Sequence, residues 1–147
     1  PPRPIRAETR EALLVDDSDI ALHLLELRLR QMGLRTRCVT NSQQALKSLA
    51  ERPADFVFLD VDLGPESDLD GMALCRQIRR APPRPGFSTP VLVLVSANHS
   101  EVDRVRGSLA GCDGFLGKPL ESDTLQRVLA LHGVRLPDAQ ASSAPTA

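Results

Sequence analysis

The sequence predicts an α/β fold in which one parallel sheet is covered by helices on both faces. Five short apolar runs alternate along the chain with five segments of helical pattern, an order typical of parallel strands joined by helical crossovers. The chain has 147 residues, of which 41% are hydrophobic, enough for one ordinary domain with a buried core. We therefore expect a doubly wound, five-stranded parallel sheet with right-handed crossovers.

The first half of the chain supplies three strands and three helices. The strands are predicted from apolar runs at 12–15, 34–40 and 55–60. The helices are predicted at about 18–32, 42–51 and 71–80. Gly33 ends the first helix and Asn41 caps the second, whereas the mixed apolar and basic run at 34–40 is typical of an edge strand.

The second half supplies two strands and two helices. The strands are the VLVLV run that follows Pro90 and the segment 114–116. The helices are predicted at about 100–110 and 122–132, and the proline-rich stretch 81–89 is predicted as a loop. We expect a single domain over 11–135, an extended lead-in at 1–10, and a disordered tail or linker at 136–147.

Composition excludes several classes of protein. The 18 basic and 19 acidic side chains leave a formal net charge of −1, which argues against direct nucleic-acid binding through phosphate contacts. No apolar run is long enough to span a membrane, and no secretory signal opens the sequence. The three cysteines are odd in number and widely spaced, so we expect no disulfide framework and a cytoplasmic, reducing environment.

Polar side chains follow four of the five predicted strands. Asp16 and Asp17 follow the first, Asp60 the third, Ser96 the fourth and Lys118 the fifth. Each alone is commonly a cap or a loop residue, but the carboxyl ends of parallel strands share one edge of a sheet. Clustered carboxylates need a counter-charge, which Mg²⁺ supplies. A free carboxylate can attack phosphorus, and an ammonium can pair with phosphoryl oxygens. The set therefore predicts a phosphoryl-transfer site.

Five motifs in order make the sequence resemble a known family. They are LLVDDS (13–18), VFLDVDL (57–63), DGMALCRQIR (70–79), PVLVLVSA (90–97) and GCDGFLGKPL (111–120). Over about 11–132 the chain is similar to the CheY-like receiver domain of two-component response regulators, the phosphoproteins of phosphorelay signal transduction. The resemblance implies a flavodoxin-like (βα)5 fold with strand order 2-1-3-4-5.

The resemblance also implies roles for the acids. Asp60 corresponds to the phosphoacceptor, which takes a phosphoryl group from the phosphohistidine of a histidine kinase or histidine phosphotransfer protein. Mg²⁺ or Mn²⁺ would be held by Asp17 and Asp60 directly, by Asp16 through water, and by the main-chain carbonyl of Asp62. On this view the domain catalyses only its own phosphorylation and dephosphorylation.

Further residues take family roles in binding phosphate and in switching. Lys118 and Ser96 would bind the phosphoryl group, and the small Ala97 leaves access to it. Ser96 and Phe115 would form the switch that changes a surface of the fourth helix, fifth strand and fifth helix, for an output domain or a homodimer. The bond before Pro119 is expected to be cis.

The sequence departs from the family in two places, and two other interpretations stay open. The loop at 61–70 is longer than usual, with Gly64 where the family commonly has proline, and Phe115 replaces the commoner tyrosine. A receiver-like docking domain that is never phosphorylated is one alternative. The other is a haloacid-dehalogenase-like phosphatase, which has a similar Asp60-Val61-Asp62 pattern but places its second pair of acids after the lysine, whereas here the pair precedes the nucleophile.

The first helix has two apolar stripes. One is expected to pack on the sheet and consists of Leu22, Leu25, Leu29 and Met32. The other consists of Ile20, Leu24 and Leu27. If neither the fifth helix nor the lead-in covers this second stripe, we expect it to contact the phosphodonor protein or a second subunit.

Overall fold

The computed structural model, which describes residues 10–134 except 84 and 99, contains five strands that alternate with five helices. The strands are β1 (Glu11–Val15), β2 (Arg35–Val39), β3 (Phe56–Asp60), β4 (Val91–Ser96) and β5 (Gly114–Gly117). The helices are α1 (Asp19–Gln31), α2 (Ser42–Glu51), α3 (Gly71–Arg80), α4 (Glu101–Ala110) and α5 (Ser122–Leu131). All strand pairs are parallel, in the order β2-β1-β3-β4-β5.

This architecture confirms the predicted fold, the strand order and the position of each element. Most of the predicted lead-in and tail lies outside the described residues. Within the described range, no helix is both long and apolar enough to cross a membrane.

The alternation of side chains along each strand divides the core into two layers. Leu14 and Phe58 belong to the layer that packs against α1 and α5. Leu13 and Leu59 belong to the layer that packs against α2, α3 and α4. Because helices cover both faces, the middle of each central strand is apolar, and every residue of β3, including Asp60 at its end, is buried.

The edge position predicted for β2 is confirmed, because this strand pairs with β1 alone in the order of the sheet. Its two basic residues differ in exposure, since Arg35 is exposed and Arg37 is half-buried. Arg37 packs along the amino end of the sheet, where its Nε donates to Ser48 Oγ at 2.8 Å.

Helix α1 presents the two stripes that the sequence predicts. Ser18 caps it by accepting a hydrogen bond from Ala21 N at 3.2 Å. The packed stripe is buried at Leu22, Leu25, Leu29 and Met32. The second stripe is not covered by α5, since Ile20, Leu24 and Leu27 are 75%, 52% and 50% exposed.

Candidate functional site

The polar residues predicted at the strand ends meet at the carboxyl edge of the sheet. β1 and β4 flank β3, so Asp16 and Ser96 approach Asp60 from either side. Together they line a cavity of about 380 Å³. Its other lining residues are Asp17, Ser18, Val61, Asp62, Ala97, Asn98, Asp103 and Lys118.

Three carboxylates form the floor of this cavity. Asp16, Asp17 and Asp60 each place one carboxylate oxygen within 4.8 Å of the others. Asp16 and Asp60 are buried, whereas Asp17 is exposed on the open side. Oxygen donors with this proximity fit a hard divalent cation such as Mg²⁺, which keeps several waters and uses few carboxylates.

Lys118 lies across two of the acids. Its Nζ donates to Asp16 Oδ2 at 2.9 Å and lies 3.3 Å from Asp60 Oδ1. Burial lowers the pKa of Lys118, but the hydrogen bonds and charges of Asp16 and Asp60 outweigh it, so the net pKa is raised. The side chain is therefore an ammonium. The backbone beside it is fixed by the hydrogen bond from Lys118 N to Ser96 O at 2.8 Å, and the predicted cis bond to Pro119 is present.

The surroundings of Asp60 disfavour its charged form. Burial and, less strongly, the charge of Asp16 raise the pKa of its carboxyl, Lys118 offsets part of this, and the net pKa is about 6. One ammonium does not balance three carboxylates, and the charged form of Asp60 is stabilised by any further cation that enters the cavity.

The start of α3 packs directly against the backbone of the Asp60 strand. Gly71 N donates to Val61 O at 2.9 Å, and a Cβ on Gly71 would overlap the carbonyl of Asp60. Asp70 caps the helix by accepting from Ala73 N at 2.8 Å. The Asp-Gly pair seen in the sequence is thus a point of close backbone contact with the end of the strand that carries Asp60.

The 61–70 loop lies against the exposed acid. Gly64 has a φ of +78°, and a Cβ there would come within 2.7 Å of Asp17 Oδ2. Both the backbone conformation and the lack of space beside Asp17 therefore require glycine at this position. Asp62 is exposed, and its Oδ1 accepts from Gly64 N at 3.1 Å. Its side chain therefore shapes the loop, and the metal role of its main-chain carbonyl stays a prediction.

The hydroxyl of Ser96 is already engaged. Ser96 is buried, and its Oγ donates to Asn98 O at 2.7 Å and accepts from Asn98 N at 3.0 Å. Ala97 is exposed and lines the cavity, and its role in leaving access to a phosphoryl group stays a prediction. Asn98 was not anticipated, because its part in the site depends on the turn after β4.

Phe115 is half-buried on β5, facing α4. Its Cδ2 would lie 3.1 Å from a Cβ on Gly107, so the absent side chain makes room for the ring. The Arg104 guanidinium lies 5.5 Å from the ring centroid, within cation–π range. Neither α4 residue has a sequence signal that would have linked it to Phe115.

A doubly wound sheet with an acid cluster and a lysine at its carboxyl edge is the arrangement of a receiver-type domain. A family model described as the response regulator receiver domain matches residues 12–130. The chain belongs to this family, which decides against the phosphatase alternative.

Curated relatives and solved structures support the same family assignment. The transcriptional regulatory protein GltR of Pseudomonas aeruginosa is 36% identical over 126 residues, covering 85% of this chain and 50% of that protein. The transcriptional regulatory protein AfsQ1 of Streptomyces coelicolor is 33% identical over 113 residues, covering 77% and 46%. The chain therefore spans about half of the length of these curated relatives.

A CheY-like response regulator receiver domain from Methylobacillus flagellatus has a similar structure, with a TM-score of 0.73 and 28% sequence identity. The match covers 84% of this chain and 98% of that one.

Proposed function

We propose that this receiver domain accepts a phosphoryl group on Asp60 from the phosphohistidine of a histidine kinase or histidine phosphotransfer protein, in the presence of Mg²⁺ or Mn²⁺. The observation that carries this proposal is the joint placement of Asp16, Asp17, Asp60 and Lys118 around one open cavity. The family match supports it, since the phosphorelay is what the resemblance implies.

The acids would hold the metal ion. Asp17 and Asp60 would bind it directly, Asp16 through water, and Asp62 through its main-chain carbonyl. When bound, the ion supplies positive charge that allows a phosphoryl dianion to approach three carboxylates. Lys118 already reaches Asp60, so its ammonium is placed to pair with a phosphoryl oxygen at the same spot.

The transfer itself is a nucleophilic displacement. A carboxylate oxygen of Asp60 attacks phosphorus and forms a P–O bond, while the P–N bond to the donor histidine breaks and its electron pair returns to the imidazole nitrogen. Asp60 must be ionised to attack, and its pKa of about 6 permits this at neutral pH. Ser96 would exchange its hydrogen bond to Asn98 O for one to the phosphoryl group.

Phosphorylation would then change the output surface. If Ser96 moves toward the phosphoryl group, the Phe115 ring can fill the space that it leaves, which biases a two-state equilibrium of α4, β5 and α5. That surface would contact an output domain or a second subunit. The two curated relatives are transcriptional regulatory proteins in which the matched region makes up about half of the length, so we also propose a regulatory output outside the region that they share with this chain.

The phosphodonor would dock beside the cavity. A groove of about 410 Å³, here termed the α1 groove, leads from Asp60 and Lys118 along α1. It is lined on the helix side by Ile20, Ala21, Leu24 and Arg28, and on the other side by Pro119 and Leu120. An apolar groove that ends at the acceptor fits a helix that presents a phosphohistidine.

The proposal is tested by incubating the chain with a small acyl phosphate and Mg²⁺ and measuring the intact mass. We expect one phosphoryl adduct in the wild type, none with a chelator and none in Asp60→Asn. An Asp60→Asn variant that labels at the wild-type level would remove the assignment of the acceptor. A wild type that never labels would instead favour the docking-only interpretation.

A further inference from the structure

The 61–70 loop, in which this sequence departs most from its family, forms one wall of the acid cluster. Two leucines hold its ends in the core, since Leu63 is buried and Leu69 packs against the same layer. Between them the chain is polar, and its conformation is fixed by hydrogen bonds rather than by packing. Most of these bonds run to the first two residues of α2, a helix that contributes nothing else to the site.

Ser42 provides the first anchor. Its backbone N donates to Ser67 Oγ at 2.8 Å, and its own Oγ accepts from Leu69 N at 2.9 Å. The first N–H groups of a helix have no partner within it. Ser42 is 0% exposed, so water does not satisfy its N–H, and the loop hydroxyl does so instead.

Gln43 provides the second anchor. Its Oε1 accepts from Asp68 N at 2.9 Å and its Nε2 donates to Glu66 O at 3.0 Å. The side-chain amide therefore replaces, for two loop residues, the pairing that a β-ladder would provide. Ser42 Oγ donates to the same Oε1 at 3.1 Å, which joins the two anchors into one network.

The anchored part of the loop leads directly to the metal-binding acid. Ser67, held by Ser42, donates its N–H to Gly64 O at 3.3 Å. Gly64 in turn leaves no room for a Cβ beside Asp17 Oδ2. A loop released from α2 would leave Asp17, the exposed acid, without the backbone wall that limits its rotamers.

We propose that Ser42 and Gln43 are positioning residues for the metal ion: they hold the 61–70 loop so that Gly64 fixes the Asp17 carboxylate in its binding orientation. This inference rests on the proposed function, because it assumes that the acid cluster binds a divalent cation. It assigns to α2 a part in the site that neither the strand-end motifs nor the family resemblance includes.

The chain offers a matched pair of variants for the test. Gln43 and Gln44 are adjacent and both exposed. The side chain of Gln44 also accepts from a backbone N–H, but from Thr40 at 3.0 Å, away from the loop. Gln43→Ala and Ser42→Ala should weaken Mn²⁺ binding about fivefold, less than the loss of a group that directly orients a ligand. Gln44→Ala should leave it unchanged.

Mn²⁺ binding is measured by the loss of the free-ion EPR signal, with folding of each variant checked by thermal melts. Amide exchange gives a second readout, in which Gln43→Ala should speed exchange at Asp68 and Gly64 but Gln44→Ala should not. If Gln43→Ala and Ser42→Ala bind Mn²⁺ as the wild type does, the positioning role is wrong even where the melts shift. If the wild type itself binds no Mn²⁺, the proposed function fails together with this inference.

Discussion

Strand β1 has a cluster of charged side chains at each end, and the two clusters differ in balance. At its start, Glu11 Oε2 lies 2.7 Å from Arg52 Nη2 and 3.3 Å from Arg37 Nη1. Asp55 completes this start cluster by accepting from Glu11 N at 2.8 Å. Two carboxylates face two guanidinium groups, so that the formal charges cancel.

The end cluster consists of Asp16, Asp17, Asp60 and Lys118, and its charges do not cancel. Three carboxylates share one ammonium, which leaves a formal charge of −2. Burial raises the pKa of Asp60 most, the charge of Asp16 adds to this, and Lys118 offsets only part of the rise, so the net pKa is about 6. The same strand thus has balanced charges at one end, which stabilise the fold, and unbalanced charges at the other, where a cation and a phosphoryl group are expected.

Removing the ammonium of the end cluster should have the largest effect. We expect Lys118→Ala to slow labelling by a small acyl phosphate about 100-fold, because the variant lacks the preorganised ammonium that would pair with the phosphoryl oxygens. Mn²⁺ binding should not weaken, since removing a cation makes the acid cluster more negative.

The matched control is Lys47→Ala, the chain's other lysine, which is exposed on α2. Labelling of Lys118→Ala within threefold of the wild-type rate would contradict the role of this ammonium.

Removing the carboxylate of the start cluster should change stability and leave the chemistry intact. We expect Glu11→Gln to lower the free energy of unfolding by about 2 kcal/mol, because Arg37 is then left largely buried beside a neutral partner. Urea unfolding is followed by circular dichroism, since the chain has no Trp or Tyr.

Glu51→Gln, at an exposed position of α2, is the control for the loss of a surface charge. A large fall in the labelling rate of folded Glu11→Gln would mean that the two ends of β1 are not independent.

Neutralising Asp60 should stabilise the metal-free protein. The pKa of Asp60 is raised to about 6 from 3.8, so the stability that its neutral form provides below pH 4 is lost as the pH rises through 6. Asp60→Asn keeps a neutral group at every pH. We expect it to be more stable than the wild type at pH 7.5 by on the order of 2 kcal/mol.

The difference in stability between Asp60→Asn and the wild type should become smaller as the pH falls toward 4. Saturating Mg²⁺ should stabilise the wild type more than the variant. Thermal melts with and without chelator measure both trends. An Asp60→Asn protein that is less stable than the wild type at pH 7.5 without metal would show that Lys118 balances the cluster on its own.

The sequence predicted the end cluster well because its members depend on local signals. Asp16, Asp60 and Lys118 stand where apolar runs end, and parallel strands bring those ends to one edge whatever the loops do. Helix ends were equally predictable, since Ser18, Asn41 and Ser100 cap helices with their own side chains. These features need only a few neighbouring residues to specify them.

Residues that act across the fold were not predictable in the same way. The contact between Gly64 and Asp17, the bonds from Ser42 to the loop, and the position of Arg104 over Phe115 join segments that are distant in sequence. The distances between these residues depend on how the helices pack on the sheet. The start cluster was missed for the same reason, because Glu11 meets Arg37 and Arg52 only after β2 and α2 are in place.

The smallest expected effect lies outside both clusters, on the exposed stripe of α1. Leu24 is 52% exposed and lines the α1 groove that ends at Asp60. We expect Leu24→Glu to slow phosphoryl transfer from a phosphohistidine protein about tenfold, because a charge enters an apolar contact that is worth more than 1 kcal/mol. Labelling by a small acyl phosphate should be unchanged, since both charge clusters stay intact.

The control is Leu131→Glu, an 80% exposed leucine at the end of α5. The adjacent carbonyl of His132 accepts from Arg10 Nη1 at the start of β1, so this position lies at the opposite end of the sheet. Equal transfer rates for Leu24→Glu and Leu131→Glu would place the phosphodonor on another surface, and a parallel loss of labelling by the small donor would place Leu24 in the chemistry rather than in docking.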